Sequence, residues 1–475
     1  MSGMRRLLTD WRTVPQPDEV LSSRLARVPR RVLWVTLVAG TLLSLAVTRL
    51  VATRAILLGV PDAGWAYGYH SPFQPESLTA FAFVGALCAA VILLVPFTLT
   101  RRYERAAILL WLVVGTYAQL QLRDLTPYSL RTLFAAEGAN GMFQAAHQYP
   151  AATLLRDFDR LRPTLSSMHA RANMPGKTVL VHGLLPVAPR PATLARIVIV
   201  LTNLGGILLY LFVRDWFGDR DTALIALVFY LFVPAKLLFF PVFNTLTPVF
   251  VFACVWLWLR VLQRHEVKAA AALGLACYWL AFFEPTPAVI GVLAASLTAQ
   301  TIWRAQITPR RALALAAVTV VTFLAAHAAM IAVFGFNLFS ALQTIARDAA
   351  GFNQLSVPPR PYGVWVGRNL VDFFFGVGLC QTLLFGWSLA IAAWPGHERA
   401  AAVALGVAGA LLAVDLLGIN RGEVIRLWVF LACFVQIPAA YACARLESRL
   451  AVVLVVATSL LQVAVGTSMV AFIQP

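Results

Sequence analysis

The sequence predicts an all-α polytopic membrane protein: about thirteen transmembrane helices, a cytoplasmic N-terminus, and one large extracytoplasmic loop carrying interfacial helices. Three observations predict it. Of the 475 residues 60% are hydrophobic and only 12% charged, and the mean hydropathy is +0.77, which no soluble domain of this size approaches. The apolar residues come in runs close to the twenty or so needed to cross a hydrocarbon core. The basic residues sit in short clusters after every second run, as expected when Lys and Arg stay cytoplasmic during insertion. A formal net charge of +17 would suggest nucleic acid in a soluble protein; distributed this way it does not, and nucleic acid is excluded as a partner.

The elements follow in order. Residues 1–31 form a basic leader with seven arginines, and the apolar run after it is too long for a cleaved signal peptide. The predicted spans are 32–58, 78–99, 106–122, 194–213, 222–240, 246–262, 269–283, 286–303, 312–335, 370–394, 400–417, 427–444 and 450–472. With the N-terminus inside, the basic clusters at 101–105, 214–220, 264–268, 304–311, 396–399 and 445–449 all fall on the cytoplasmic side. The loop 123–196, the turn at 241–248, the Glu284 turn, the loop 337–368 and the loop 418–426 then share the outer face. We divide the chain into the leader, an N-terminal transmembrane pair (32–105), a module with the large loop (106–335) and a C-terminal part (336–475). Cys88, Cys254, Cys277, Cys380, Cys433 and Cys443 lie in or beside apolar runs with no CxxC pair, so they read as core residues. His327, inside a span, reads as a core histidine. No internal repeat is visible, nor the matched pair of broken helices that marks inverted-repeat transporters.

A polar loop of some seventy residues has no packing reason to exist in such a chain, and loops of that length are commonly functional. Tyr128 to Phe134 and Ala151 to Leu161 mix apolar and charged residues at helical spacing and read as interfacial helices. The run His169-Ala-Arg-Ala-Asn-Met-Pro-Gly-Lys177 holds a tight Pro-Gly turn with a lysine directly after it. An ammonium fixed there suits a phosphate, with His169 as a second donor; a plain turn with a solvated lysine is the other reading.

This stretch resembles the large first loop of the GT-C membrane glycosyltransferases, where His-x-x-x-His-Pro-Pro-Gly-Lys follows an acidic residue. Protein O-mannosyltransferases and the aminoarabinose transferases of lipid A carry related His-Pro-Pro motifs. Here Glu137 stands 37 residues before Met174. Asn173 and Met174 occupy the places of His and the first Pro, and Glu137 that of the more usual Asp. The resemblance implies transfer of one sugar from a polyprenyl-phosphate carrier to a glycan, lipid or protein acceptor at the outer face. A carboxylate would act as base with inversion, and basic groups would stabilise the leaving phosphate. The phosphate role then falls to Lys177. Glu137 is the expected base; Asp62, among Trp65, Tyr67, Tyr69 and His70, and Asp124, preceded by Arg123 as a ready ion-pair partner, stay open as alternatives. Asn140, beside Glu137, is a candidate acceptor or sugar contact.

Other candidates gather on the same predicted face. Arg421, Glu423 and Arg426 open a late span; Arg426 either pairs with Glu423 or binds the carrier's phosphate. Their Asn-x-Gly-Glu-x-x-Arg segment is also similar to one in bacterial members of the same class. Lys236, a turn inside a span, is a functional candidate by default, with snorkelling as the alternative. Glu284, Glu423, Tyr362 and Trp365 are candidate sugar or acceptor contacts; Trp and Tyr either stack on sugar rings or form the interfacial belt. No Walker, GxGxxG or HExxH motif appears, which argues against an ATP-driven pump and a zinc protease. No metal-ligand spacing is distinctive, which leaves a divalent metal open. With only short cytoplasmic loops, the donor is expected to be lipid-linked rather than a nucleotide sugar. A secondary transporter or lipid flippase, using Lys236 and Arg426, is the alternative, and a ligase of lipid-linked glycans a third reading. The plasma membrane of a bacterium is the expected location.

Overall fold

The computed structural model describes residues 30–70, 77–98, 103–137, 141–355 and 358–474; Asn140 and nearly all of the basic leader lie outside them. Among the described residues ten helices are long and apolar enough to cross a membrane, or eleven if one bent pair counts as a single span. The chain is therefore an all-α integral membrane protein. Two further apolar helices, Ala82–Val95 and Val267–Phe283, fall short of a full span. Helices satisfy every backbone polar group internally, which is why apolar runs adopt them where water is absent. Sequence sets their ends: Thr308 caps the helix Pro309–Phe334 by accepting from the Arg311 N–H, with Pro309 in the first turn.

The most deeply enclosed helices are Arg220–Leu238 and Val429–Leu446, with 94% and 89% of their apolar windows buried. The helix Pro309–Phe334 lies at the opposite extreme, with none of its window enclosed and Leu313, Val321 and Val333 largely exposed. It packs mainly on Val267–Phe283, with Phe323 and His327 against Phe339 of the helix Leu338–Leu355. An apolar helix in this position has its match in lipid rather than in protein.

Polar residues segregate to the two ends. At one end the arginine clusters find carboxylates: Glu104 pairs with Arg214 and Arg220, Arg304 with Glu398, and Arg30 with Glu447. At the other end the long connections meet. β1 (Gly59–Val60) pairs with β2 (Trp65–Ala66), and β3 (Gly68–Tyr69) pairs with β4 (Val470–Ala471) at the C-terminus. The Gly59 N–H donates to Asp372 and the Trp365 indole donates to the Ala63 carbonyl. The helix Arg30–Ala52 packs on Leu379–Ala390 and on Arg449–Met469. The first helix of the N-terminal pair thus packs against the C-terminal helices.

Two expectations need correction. The span predicted at 370–394 is two helices, Tyr362–Val377 and Leu379–Ala390, bent by 108° at Gly378. The predicted polar loop 337–368 contains an amphipathic helix, Leu338–Leu355, that buries Leu338, Ala341 and Ile345 at helical spacing. The loop stretches expected to be helical form Leu130–Ala135, Ala151–Arg156 and Phe158–Leu161. Met142–Gln148, Met168–Arg171 and Gly176–Leu184 complete the large loop.

Gly378 takes φ +96°, and a Cβ there would press on the Gln381 amide carbon at 2.9 Å. Gly378→Ala is expected to destabilise the protein by about 1–3 kcal/mol, read as a lower melting temperature in detergent. Gly386→Ala, in open space on the adjoining helix, should leave melting unchanged or raise it.

Candidate functional site

The site is organised by the turn before Lys177. Met174 is buried in a small apolar cluster with Tyr278 and Phe282, which anchors the turn to the end of the helix Val267–Phe283. Gly176 allows the final approach: a Cβ on it would lie 2.7 Å from the Phe283 Cα. This closeness brings Lys177 to Glu284, the next residue along that partner chain segment. The two side chains form an ion pair at 3.0 Å with 1% and 6% of their surfaces exposed.

Charges so enclosed need further hydrogen-bond partners, and both groups have them. The Lys177 ammonium also donates to Asn173 Oδ1 at 2.9 Å, and the Asn173 amide donates to the His169 carbonyl at 2.8 Å. Glu284 accepts from the Asn244 amide at 3.1 Å and from the Thr247 hydroxyl at 2.6 Å. The turn 241–248 therefore serves as the carboxylate's cradle. Burial pushes the Lys177 ammonium below the usual lysine range, and Glu284 draws it back part of the way.

Beside this pair lies a cleft with about 320 Å³ of empty space, its open mouth included. His169, Asn173, Asn244 and Arg426 supply its polar lining, set among Met142, Val242, Phe243 and Leu427. Three segments far apart in sequence thus meet in one wall. Arg426 pairs with Glu423, and Arg360 approaches Glu423 at 3.6 Å. Arg360 and Arg421 each donate to the other's carbonyl at 2.8 Å, stitching the second long connection to the loop before Arg426. Burial raises the Glu423 carboxyl, but Arg426, Arg360 and His169 outweigh it and hold the group below its ordinary 4.5. Glu423 also carries a left-handed backbone, φ +59°, a conformation that surrounding structure must impose on a non-glycine residue. The Nε–H groups of Arg426 and Arg360 are buried with no hydrogen-bond partner.

The predicted residues divide accordingly. His169, Lys177, Glu284, Glu423 and Arg426 come together. Glu137 lies at the surface, where its carboxylate accepts the Met168 N–H at 2.9 Å, one residue from His169. Asp62 and Asp124 are exposed as Glu137 is, and none of the three lines the cleft. Arg123 does not turn to Asp124: it points inward and donates to the carbonyls of Leu238 and Phe240. Asn140 is outside the described residues. Trp365 is fully buried and bonded to Ala63, so no sugar can stack on it. Tyr362 donates to the Leu416 carbonyl and supports Arg421 over its ring, away from the cleft lining.

Lys236 also lies away from that lining. It is fully buried, neither snorkelling nor facing the cleft, and its ammonium donates to Asn203 at 3.2 Å and sits 3.8 Å from the Tyr230 ring centre. The Asn203 amide donates to Gln119, and the Gln119 amide donates to the Leu231 carbonyl. The helix breaks between Leu231 and Pro234 and again after Leu238; Gln119 and Arg123 satisfy the carbonyls freed there. This inner network is explained by the broken helix. Among the described residues no three His, Cys, Asp or Glu side chains gather as a metal would require.

Asn173, Asn244, Thr247 and Arg360 are members to which the sequence alone assigned no role in the site. Removing one partner of the buried pair strands the other, so Lys177→Met and Glu284→Gln should each cost about 3–5 kcal/mol. The double variant Lys177→Met/Glu284→Leu should recover part of that loss, and denaturant or thermal unfolding of the three variants measures it. No family model matches the chain, and none of the curated proteins is similar to it.

Proposed function

We propose that the chain transfers a single sugar from a polyprenyl-phosphate-linked donor to an acceptor hydroxyl, at the extracytoplasmic face of a bacterial plasma membrane. The observation that carries this reading is the charge balance around the cleft. Lys177, Arg360 and Arg426 face Glu284 and Glu423, which leaves one positive charge before His169 is counted. A buried excess charge is unfavourable until an anion meets it. A phosphodiester linking a sugar to a lipid carries one negative charge, and Arg426 keeps a buried Nε–H without a partner at the cleft wall.

The lining suits the same ligand. Met142, Val242, Phe243 and Leu427 offer apolar contact to the first isoprenoid carbons, while Asn173, Asn244 and His169 stand beside the phosphate. Glu284 and Glu423 are each held by cations, whereas Glu137 accepts one backbone N–H and stands where an acceptor can approach. In this reading Glu137 takes the proton of the acceptor hydroxyl while its oxygen attacks the anomeric carbon. The bond from that carbon to the phosphate oxygen breaks with inversion. The carrier leaves as a phosphomonoester, whose added negative charge develops against Arg426 and Lys177. The basic clusters at the opposite end of the bundle support the assigned sidedness.

The test uses the full chain in membrane vesicles with a short-chain polyprenyl phosphate bearing a radiolabelled hexose. Glu137→Gln is expected to abolish transfer while donor binding persists. Arg426→Gln should weaken donor binding at least about tenfold, the effect of one charge-assisted contact. Full transfer by Glu137→Gln would remove the base assignment. Movement of the labelled lipid across the vesicle with no transfer to any acceptor would favour the flippase reading instead.

A further inference from the structure

We propose that the side-chain oxygen of Asn244 reads the sugar of the lipid-linked donor, accepting a hydrogen bond from one of its hydroxyls. The inference rests on the reading of the cleft as a sugar-phosphate site and deepens it. Asn244 is a lining residue of the cleft and is 9% exposed. Val242 and Phe243, directly before it, line the same space together with Arg426 and Leu427. Asn244 also touches the buried Lys177–Glu284 pair through Glu284, so it stands between that pair and the cleft.

The orientation of its amide is dictated by the carboxylate. An ionised carboxylate only accepts, so the group turned to Glu284 is the NH₂, which donates to Oε1 at 3.1 Å and Oε2 at 3.2 Å. The amide is planar, with its oxygen and nitrogen on opposite sides of Cγ, so Oδ1 faces away from the ion pair. No donor meets that oxygen among the described residues. The short turn that carries it is fixed. The Thr245 hydroxyl donates to the Val242 carbonyl at 2.7 Å, and the Phe243 ring packs on Phe134 at 5.6 Å between centroids. Flipping the amide to offer its NH₂ to a ligand would take a donor from Glu284, so the cleft meets an acceptor held in place.

The other polar groups of the lining do not duplicate it. Arg426 brings donors only. Asn173 is committed at both ends, its oxygen to Lys177 and its NH₂ to the His169 carbonyl. A phosphodiester offers acceptors only, so it suits Arg426 and is repelled by Asn244 Oδ1. A ligand that satisfies both must carry a hydrogen-bond donor beside its phosphate, as a sugar hydroxyl does. The ammonium of an amino sugar would donate as well, but it would restore the excess positive charge that the phosphate offsets. A neutral hexose fits best. The bare carrier phosphate has no sugar hydroxyl, so the same oxygen discriminates against the discharged carrier.

The experiment measures binding to the full chain in detergent. The probes are bare short-chain polyprenyl phosphate and a panel of the same lipid phosphates each bearing one neutral hexose. For the hexose bound most tightly, each free hydroxyl is replaced in turn by hydrogen and by fluorine. Fluorine cannot donate, so at the hydroxyl that Asn244 reads both replacements should weaken binding to wild type about tenfold. Asn244→Ala should bind the parent probe about tenfold more weakly, lose nothing further on either replacement, and keep its affinity for the bare phosphate. That variant also removes a donor from Glu284, so Asn244→Ser, whose hydroxyl can still donate in that direction, is measured beside it and should behave alike. A purely structural Asn244 would instead weaken every probe equally, the bare phosphate included. The proposal is overturned if wild type tolerates one of the two replacements at every hydroxyl, or if the loss persists in a folded variant. It is overturned equally if both variants fail to fold, which would make the amide structural. If wild type binds neither the hexosyl probes nor the bare phosphate, the reading of the cleft itself falls, and the Asn244 proposal with it.

Discussion

The buried ion pair between Lys177 and Glu284 is the contact on which the arrangement at the loop end depends. Two charges removed from water lose several kcal/mol of solvation each, and attraction alone does not reliably return it. The pair is tolerable because Asn173 accepts from the ammonium while Asn244 and Thr247 donate to the carboxylate. Those three residues come from the large loop and from the turn between two helices of the bundle. Their convergence fixes the wall of the cleft as a by-product of satisfying the charges. A hydrophobic pair could hold the same segments together, yet it would leave nothing for His169 and Arg426 to complement.

The fold was legible where a single physical rule acts along the chain. Apolar run length and the placement of arginines locate the helices, because each depends only on local composition. The bend at Gly378 was hidden, since a glycine inside an apolar run reads the same whether the helix continues or turns. The helix Leu338–Leu355 was hidden by its own amphipathicity: Arg347 and Asp348 made a surface helix resemble a loop. In both places the deciding quantity is what packs against the segment, which composition does not record.

The site was legible in part for the same reason. Lys177 and His169 stood out because a Pro-Gly turn places them, and Arg426 because an arginine inside an apolar run needs a partner close by. That partner is Glu423, one helical turn away, as the local pattern allowed. Glu284 drew notice only as a polar residue at a helix end. Its role as the counter-charge of Lys177 depends on the approach of two distant segments, permitted by Gly176. Asn173 looked like a departure from a family pattern. In the structure it is the link between the Lys177 ammonium and the His169 carbonyl, a task that an amide performs with one oxygen and one NH₂.

The contrast between the two buried lysines explains why only one end of the bundle reads as a site. Lys236 is met by the neutral groups Asn203 and Tyr230, in a network that also serves the carbonyls released where its helix breaks. Its partners are enclosed by the most deeply buried helices, Arg220–Leu238 and Val429–Leu446. Lys177 is met by a carboxylate, and the pair stands next to further arginines and an open cleft. The first arrangement lies within the bundle and serves the broken helix. The second leaves a net positive charge and unmatched N–H groups beside the cleft. An intramembrane lysine is a functional candidate by default, but the default yields when the backbone around it supplies the reason for its presence. What distinguishes the two is the counter-charge and the setting: Lys236 meets only neutral groups inside the bundle, whereas Lys177 meets the Glu284 carboxylate beside a cleft lined by His169, Asn173, Asn244 and Arg426.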